Sequence, residues 1–87
     1  MRKLTDEDLD KISEIAVASA HDFIFTKVSK KEVIDVDINV ELKYNQELDV
    51  NVSVDILFDD LSFVDKKIAD DAADYAFLEI EKFLDEI

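Results

Sequence analysis

Apolar and polar residues alternate with a period of two through the middle of the chain. The residues between the apolar positions are mostly Asp, Asn and Glu. This pattern is typical of strands that bury one face and expose the other, so it predicts an antiparallel hairpin with strands at 33–44 and 48–58. The apolar positions are Ile34, Val36, Ile38, Val40, Leu42 and Tyr44, then Leu48, Val50, Val52, Val54, Ile56 and Phe58.

The same alternation restricts the turn between the strands. Apolar residues face each other only if the loop has an odd number of residues, since a shift by one residue reverses the faces. A loop of residues 45–47 pairs Tyr44 with Leu48 and sets Lys43 opposite Asp49, leaving Asp37 opposite Asp55 as a like-charge pair. A five-residue loop would oppose more acids, so we favour the shorter one.

Helical spacing flanks the hairpin on both sides. Thr5 precedes an acidic first turn and predicts the start of a helix over 5–28. Ser62, with Asp65 three residues later, resembles a capping box and predicts a helix over 62–86. The expected inner positions are Leu9, Ile12, Ala16, Ser19, Ala20 and Phe23 in the first helix, and Ala69, Ala73, Ala76, Ile80, Phe83 and Ile87 in the second.

These elements predict one domain, residues 1–87, of the α+β class. Two long helices would pack on one face of a two-stranded antiparallel hairpin in a two-layer α-β-β-α arrangement. Both strands are then edge strands, which invite pairing with another chain. A homodimer that joins hairpin edges is therefore a possible assembly.

Composition limits the classes of partner. The chain has 87 residues, 48% of them hydrophobic, and a formal net charge of −13. Such a charge repels nucleic acid and anionic lipid, so we expect neither as a partner. Only Thr5 separates Met1-Arg2-Lys3-Leu4 from the acids that begin at Asp6, and no apolar run is long enough to span a bilayer. We expect a soluble, cytoplasmic protein.

The residues that catalysis usually needs are scarce. There is no glycine and no cysteine, which excludes phosphate-binding glycine loops and thiolate chemistry. His21 is the sole histidine, so neither a two-histidine metal site nor a histidine relay can form. Asp70-Asp71-Ala72-Ala73-Asp74 matches a diphosphate-binding motif of much larger enzymes, and a solvated helix face explains it better. We expect no cofactor and no enzymatic activity.

Three acids of the hairpin form a weak candidate for cation binding. Asp35, Asp37 and Asp55 would share the outer face of the strands. Carboxylates attract Mg²⁺ and Ca²⁺, although Val40 stands where a calcium-binding loop requires glycine. A solvated sheet surface is the competing explanation.

The end of the first helix is a stronger candidate, as a binding surface for a partner protein. Phe25 lies opposite the main apolar stripe, and the end of the helix is apolar nearly all round. Basic residues concentrate beside it in an otherwise acidic chain. Either the following connection wraps Phe25, or an apolar patch is exposed for a partner. The candidate contact residues are Phe25, Lys27, Val28, Lys30 and Lys31.

Three segments resemble a family of small acidic archaeal proteins of uncharacterised function. They are residues 4–8 (LTDED), 23–32 (FIFTKVSKKE) and 35–42 (DVDINVEL). The resemblance covers nearly the whole chain and implies the α-β-β-α order. It also implies genes often found near that of a prefoldin subunit, and it assigns no catalytic residue. Ser29 departs from the pattern, in which a proline is expected.

The expected function is that of a non-enzymatic protein-interaction module or dimerising adaptor. Two alternatives remain open. The acidic surface could imitate nucleic acid and occupy a basic protein, or the hairpin acids could bind a divalent cation weakly. Mimicry should weaken steeply with salt, whereas an apolar contact should not.

Overall fold

A computed structural model describes residues 3–59 and 67–87, which form two helices and a hairpin. Helix α1 is Asp6–Lys27, strand β1 is Val33–Tyr44, strand β2 is Leu48–Phe58 and helix α2 is Ile68–Glu86. A 3-10 turn, Lys30–Glu32, connects α1 to β1. The two helices pack against each other. In addition, α1 packs on β1 and α2 packs on β2. The predicted α+β class and helix–hairpin–helix order are confirmed.

The start of α1 is fixed by a capping box. Thr5 Oγ1 accepts a hydrogen bond from the backbone N–H of Asp8 at 3.2 Å. The Asp8 carboxylate in turn accepts one from the Thr5 backbone N–H at 2.9 Å. Each side chain thus satisfies a backbone donor that the first helical turn leaves unpaired. The predicted Thr5 cap is confirmed, whereas the predicted start of the second helix, with Ser62 and Asp65, lies outside the described residues.

The hairpin has the register that the charges favoured. Tyr44 lies opposite Leu48, Lys43 opposite Asp49, and Asp37 opposite Asp55. The three-residue connection 45–47 is confirmed. None of the residues that the structure describes has a positive φ, so this turn is made without the left-handed conformation that glycine usually supplies.

The alternation breaks at the base of β1. Val33 lies opposite Phe58 and Asp35 opposite Leu57, so Ile34 is an extra residue in a bulge. The prediction that Ile34 faces the core is wrong, because the bulge shifts the faces and Val33 packs there instead. Ile34 remains 64% exposed, and Leu57 is 58% exposed.

The core lies where the helices meet. Four alanines are fully buried, two from each helix, and their small side chains allow the helices to approach closely. The buried residues of α1 recur every fourth position as far as Ile24, and Val28, directly after the helix, continues the row. The predicted inner positions of this helix do not include Ile24 or Val28. The prediction assumes one fixed face, whereas a row of i±4 residues turns slowly around the helix axis. The four alanines are Ala16, Ala20, Ala72 and Ala76.

The hairpin contributes a less buried layer. Its inward apolar side chains pack against the core but stay half-buried, except for Val52, which is buried. At the turn end, the backbone N–H of Leu4 donates a 3.0 Å hydrogen bond to the Tyr44 hydroxyl. This bond ties the chain before α1 to the end of β1. In the described ranges, no helix has the length and apolar character needed to cross a membrane.

Candidate interaction surface

A second row of residues runs along α1 beside the buried one. It comprises Ser13, Val17, His21 and Phe25, each one position after a buried residue and spaced by four. One step along a helix turns a side chain by about 100°, so this row borders the core rather than entering it. Val17 is 43% exposed, and His21 is exposed too. We call these four residues the lateral row.

The lateral row faces away from α2. The Phe23 ring stacks on the ring of Tyr75 in α2, with centroids 5.5 Å apart and planes at 30°. Residues two positions apart leave a helix in nearly opposite directions, about 160° apart. His21 and Phe25 each lie two positions from Phe23, so they occupy the side of α1 that is remote from α2. Since α1 packs on β1, this side stands above the free edge of β1.

Phe25 is held between a ring and a cation. The His21 ring lies 4.7 Å from it at a tilt of 54°, and the Lys30 ammonium lies 5.8 Å from its centroid. Cations at this distance from a ring are attracted by its negative face. The 3-10 turn positions Lys30, and Ser29 stabilises that turn by accepting a 3.2 Å hydrogen bond from the Lys31 backbone N–H. Phe25 itself is half-buried and packs against the core.

The five candidate contact residues do not form one patch. Phe25 and Lys30 lie together at the end of the lateral row, and Lys31 is exposed nearby in sequence. The Lys27 ammonium instead lies 5.6 Å from the Phe23 ring, on the side of α1 that meets Tyr75. Val28 is buried, so its assignment to a contact surface is wrong: its position continues the buried row.

Val17 is not among the contact residues predicted from the sequence. It lies seven residues before the buried Ile24, and seven residues nearly complete two helical turns. The two side chains therefore leave α1 in almost the same direction, yet only Ile24 is covered. An open, mostly apolar depression surrounds Val17 and is lined by Ser13, Glu14, Val17, Ala18, His21 and Asp22. A spacing-of-four analysis, in place of a fixed stripe, could have found it.

The three candidate cation ligands do not gather. Asp37 is opposite Asp55, while Asp35 is opposite Leu57. One oxygen of Asp35 accepts a 2.9 Å hydrogen bond from the backbone N–H of Val36. Within residues 3–59 and 67–87, no three His, Cys, Asp or Glu side chains form a group that could hold a metal ion.

The family and the two relatives that match this chain are described as uncharacterised. A family model described as a protein of unknown function, DUF3194, matches residues 1–83. An uncharacterised protein of Methanothermobacter thermautotrophicus is 45% identical over 85 residues, covering 98% of this chain and 93% of the relative. An uncharacterised protein of Pyrococcus horikoshii is 30% identical over 83 residues, covering 94% of this chain and 72% of the relative.

Two solved structures share the fold. The solution structure of a hypothetical protein from Methanothermobacter thermautotrophicus has a TM-score of 0.87 at 44% identity, and the match covers 100% of this chain and 96% of that one. A crystal structure from Thermococcus onnurineus NA1 has a TM-score of 0.81 at 26% identity, covering 99% and 84%. The predicted resemblance to uncharacterised archaeal proteins is confirmed, and the chain belongs to the DUF3194 family of proteins of unknown function.

Proposed function

We propose that this protein is a non-enzymatic interaction module that docks a partner protein on the lateral row of α1. The observation that carries the proposal is the exposure of Val17 in line with the fully buried Ile24. An apolar side chain in that direction is covered where the hairpin and α2 reach it and uncovered where they do not. A partner would complete the cover along Val17, His21 and Phe25.

The surroundings of the row suit a protein contact. Aromatic side chains are enriched at the centres of protein interfaces, where most of the binding energy arises. Here Phe25 and Lys30 already lie together at one end, so a partner would bind a pre-organised group and lose little side-chain entropy. The composition supports a non-enzymatic role, since the chain has one histidine and no cysteine.

A second candidate function rests on charge. Acids alternate along the outer face of the hairpin, and the chain carries a formal net charge of −13. Such a face could occupy the nucleic-acid site of a basic protein. Its binding would weaken steeply with added salt, because counterions screen exposed charges, whereas docking on Val17 would change little.

The test compares two apolar-to-acidic substitutions on exposed helix positions. Val17→Asp interrupts the lateral row, and Leu78→Asp is the matched control on α2, where the side chain is 55% exposed. Partners captured from an extract of the source organism are purified and titrated against each variant by calorimetry. We expect Val17→Asp to weaken binding at least about tenfold, the effect of losing a strong interface contact, and Leu78→Asp to leave it unchanged.

Phe25 is a poorer probe, because it packs against the core and its replacement would disturb folding. If the Val17→Asp variant binds the purified partner as tightly as the unaltered protein does, the lateral row is not the docking surface. If binding also falls steeply between low and high salt, the nucleic-acid mimicry explains the partner better.

A further inference from the structure

The hydrogen-bond pattern of the hairpin determines which backbone groups face its free edges. The Asn45 N–H donates to the Glu47 carbonyl at 3.2 Å, one step beyond the last pair of the register, Tyr44 opposite Leu48. Hydrogen-bonded and non-hydrogen-bonded pairs alternate along an antiparallel ladder. Odd-numbered residues of β1 after the bulge therefore bond to β2. The even-numbered ones, which are the apolar inward residues, direct their N–H and C=O groups to the free edge.

One outward donor of β1 is already occupied. The N–H of Val36 bonds to the Asp35 carboxylate at 2.9 Å, which imitates the acceptor that a neighbouring strand would offer. Beyond it, Ile38, Val40 and Leu42 present the same outward groups. The described residues form a sheet of two strands, β1 and β2, so no third strand from this part of the chain pairs with that edge.

Helix α1 extends over the space beside the free edge of β1. A helix with its side chains is about 10 Å wide, while neighbouring strands are about 4.8 Å apart. Two helices over two strands must therefore overhang both edges of the sheet. On the side of α1 remote from α2, the exposed Val17 lies in a shallow, mostly apolar depression lined by residues of α1. Above the edge of β2, the position that corresponds to Val17, six residues before Tyr75, holds Ala69, which is small and half-buried.

The outer face of β1, on the side of the sheet away from the helices, is acidic. The outward side chains of β1 include Asp35, Asp37 and Glu41, with Lys43 near the turn. Opposite charges on adjacent strands attract, and like charges repel. A strand placed beside β1 is thus favoured when its inner residues are apolar and its outer residues are basic.

We propose that the free edge of β1 accepts an extended segment of the partner protein as a third strand, with apolar side chains beneath α1 alternating with Lys or Arg beside the acids of β1. Strand addition of this kind takes its affinity from main-chain hydrogen bonds and its specificity from alternate side chains. The inference rests on the proposed docking function and names the chemistry of the partner.

A second copy of this chain fits the edge less well. Antiparallel pairing about a two-fold axis would place both helix pairs on the same face of a four-stranded sheet. Four helices would need about 40 Å of width above strands that span about 19 Å. A single extended segment brings no helices and avoids this conflict.

The test uses a synthetic peptide of about eight residues, a common strand length, in which valine alternates with lysine. Amide exchange of the labelled protein is followed by NMR as the peptide is added. We expect the N–H groups of Ile38, Val40 and Leu42 to exchange at least about tenfold more slowly, because strand pairing protects them. The inward-bonded amides of β1 and the outward amides of β2 should not change.

Two matched sets of controls define the contact. Two peptides are made, one methylated on the odd-numbered backbone nitrogens and one on the even-numbered ones. One of them should lose binding and the other should keep it, because only one set of amides faces β1. Asp37→Lys should weaken the valine–lysine peptide by about two- to fivefold and favour a valine–glutamate peptide. Asp74→Lys, which makes the same charge change on the exposed face of α2, should do neither.

The proposal is overturned if millimolar peptide protects no amide of β1, or if protection appears along β2 instead. It is also overturned if sedimentation shows a dimer whose β1 amides are protected without peptide, since a second copy then occupies the edge. Loss of the natural partner on Val17→Asp without peptide binding would retain the proposed function and reject strand addition. If the peptide binds but Val17→Asp does not weaken the natural partner, strand addition is retained and the proposed docking on the lateral row is rejected.

Discussion

Replacing Ile24 by alanine tests the buried row of α1 directly. Ile24 is fully buried and belongs to the same row as Ile12, Ala16 and Ala20. The substitution removes about three methylene equivalents at about 0.8 kcal/mol each, or about 2.4 kcal/mol of transfer free energy. The cavity left behind raises the loss into the range of about 2–5 kcal/mol seen for such core truncations. We expect the free energy of unfolding to fall by about 3–4 kcal/mol.

The matched control is Val17→Ala, on the same helix and in nearly the same direction. Val17 is 43% exposed, so removing its two methyl equivalents should cost only about 1 kcal/mol. Urea denaturation measures both losses, and an unchanged slope would show that the unfolded states are comparable. In thermal unfolding, Ile24→Ala should lower the midpoint by about 15–25 °C, since each kcal/mol shifts a domain of this size by about 4–8 °C.

A domain of this length has a total stability of about 4–13 kcal/mol, so the Ile24 loss is a large part of it. If Ile24→Ala costs no more than Val17→Ala, the buried row does not follow the i±4 positions. The interpretation of Val17 as an uncovered position that points in nearly the same direction as Ile24 would then fail as well.

Three further substitutions test the hydrogen bonds and charges that position the elements. Thr5→Ala removes the cap of α1 and should destabilise the protein by about 1 kcal/mol in urea denaturation, with a serine variant retaining most of the stability. Asp37→Asn relieves the like-charge pair with Asp55 and should stabilise by about 0.2–1 kcal/mol, a gain that shrinks in high salt; an equal gain in high salt would contradict the charge argument. Tyr44→Phe removes the acceptor for the Leu4 N–H and should cost about 0.5–1.5 kcal/mol, with faster exchange of that amide; unchanged exchange would show that the bond is not formed in solution.

The hairpin was predictable because its signals are local. Alternation set the strands, and the charges of Lys43 and Asp49 favoured the three-residue turn over the longer one. The bulge at Ile34 was not predictable from alternation. The extra residue changes the faces only at the first residues of β1, directly after the 3-10 turn, where alternation gives no signal. Its exposure and that of Leu57 follow from that junction.

The candidate site shows the same division. Phe25 and Lys30 were correctly placed near each other, because both lie close to the end of one helix. Lys27 is two residues after Phe25, and Val28 is two residues before Lys30, yet Lys27 lies against Phe23 and Val28 is buried. Which side of α1 each residue meets depends on where α2 and the hairpin lie.

The sequence by itself determined the order of elements, the Thr5 cap, the register of the hairpin and the acidic surface. These depend on periodicity, local hydrogen bonding and charge, which neighbouring residues carry. The tertiary structure decided which apolar residues are covered. Because two wide helices meet over two narrow strands, and their buried rows turn slowly about the helix axes, Ile24 is enclosed while Val17 stays open beside the free edge of β1.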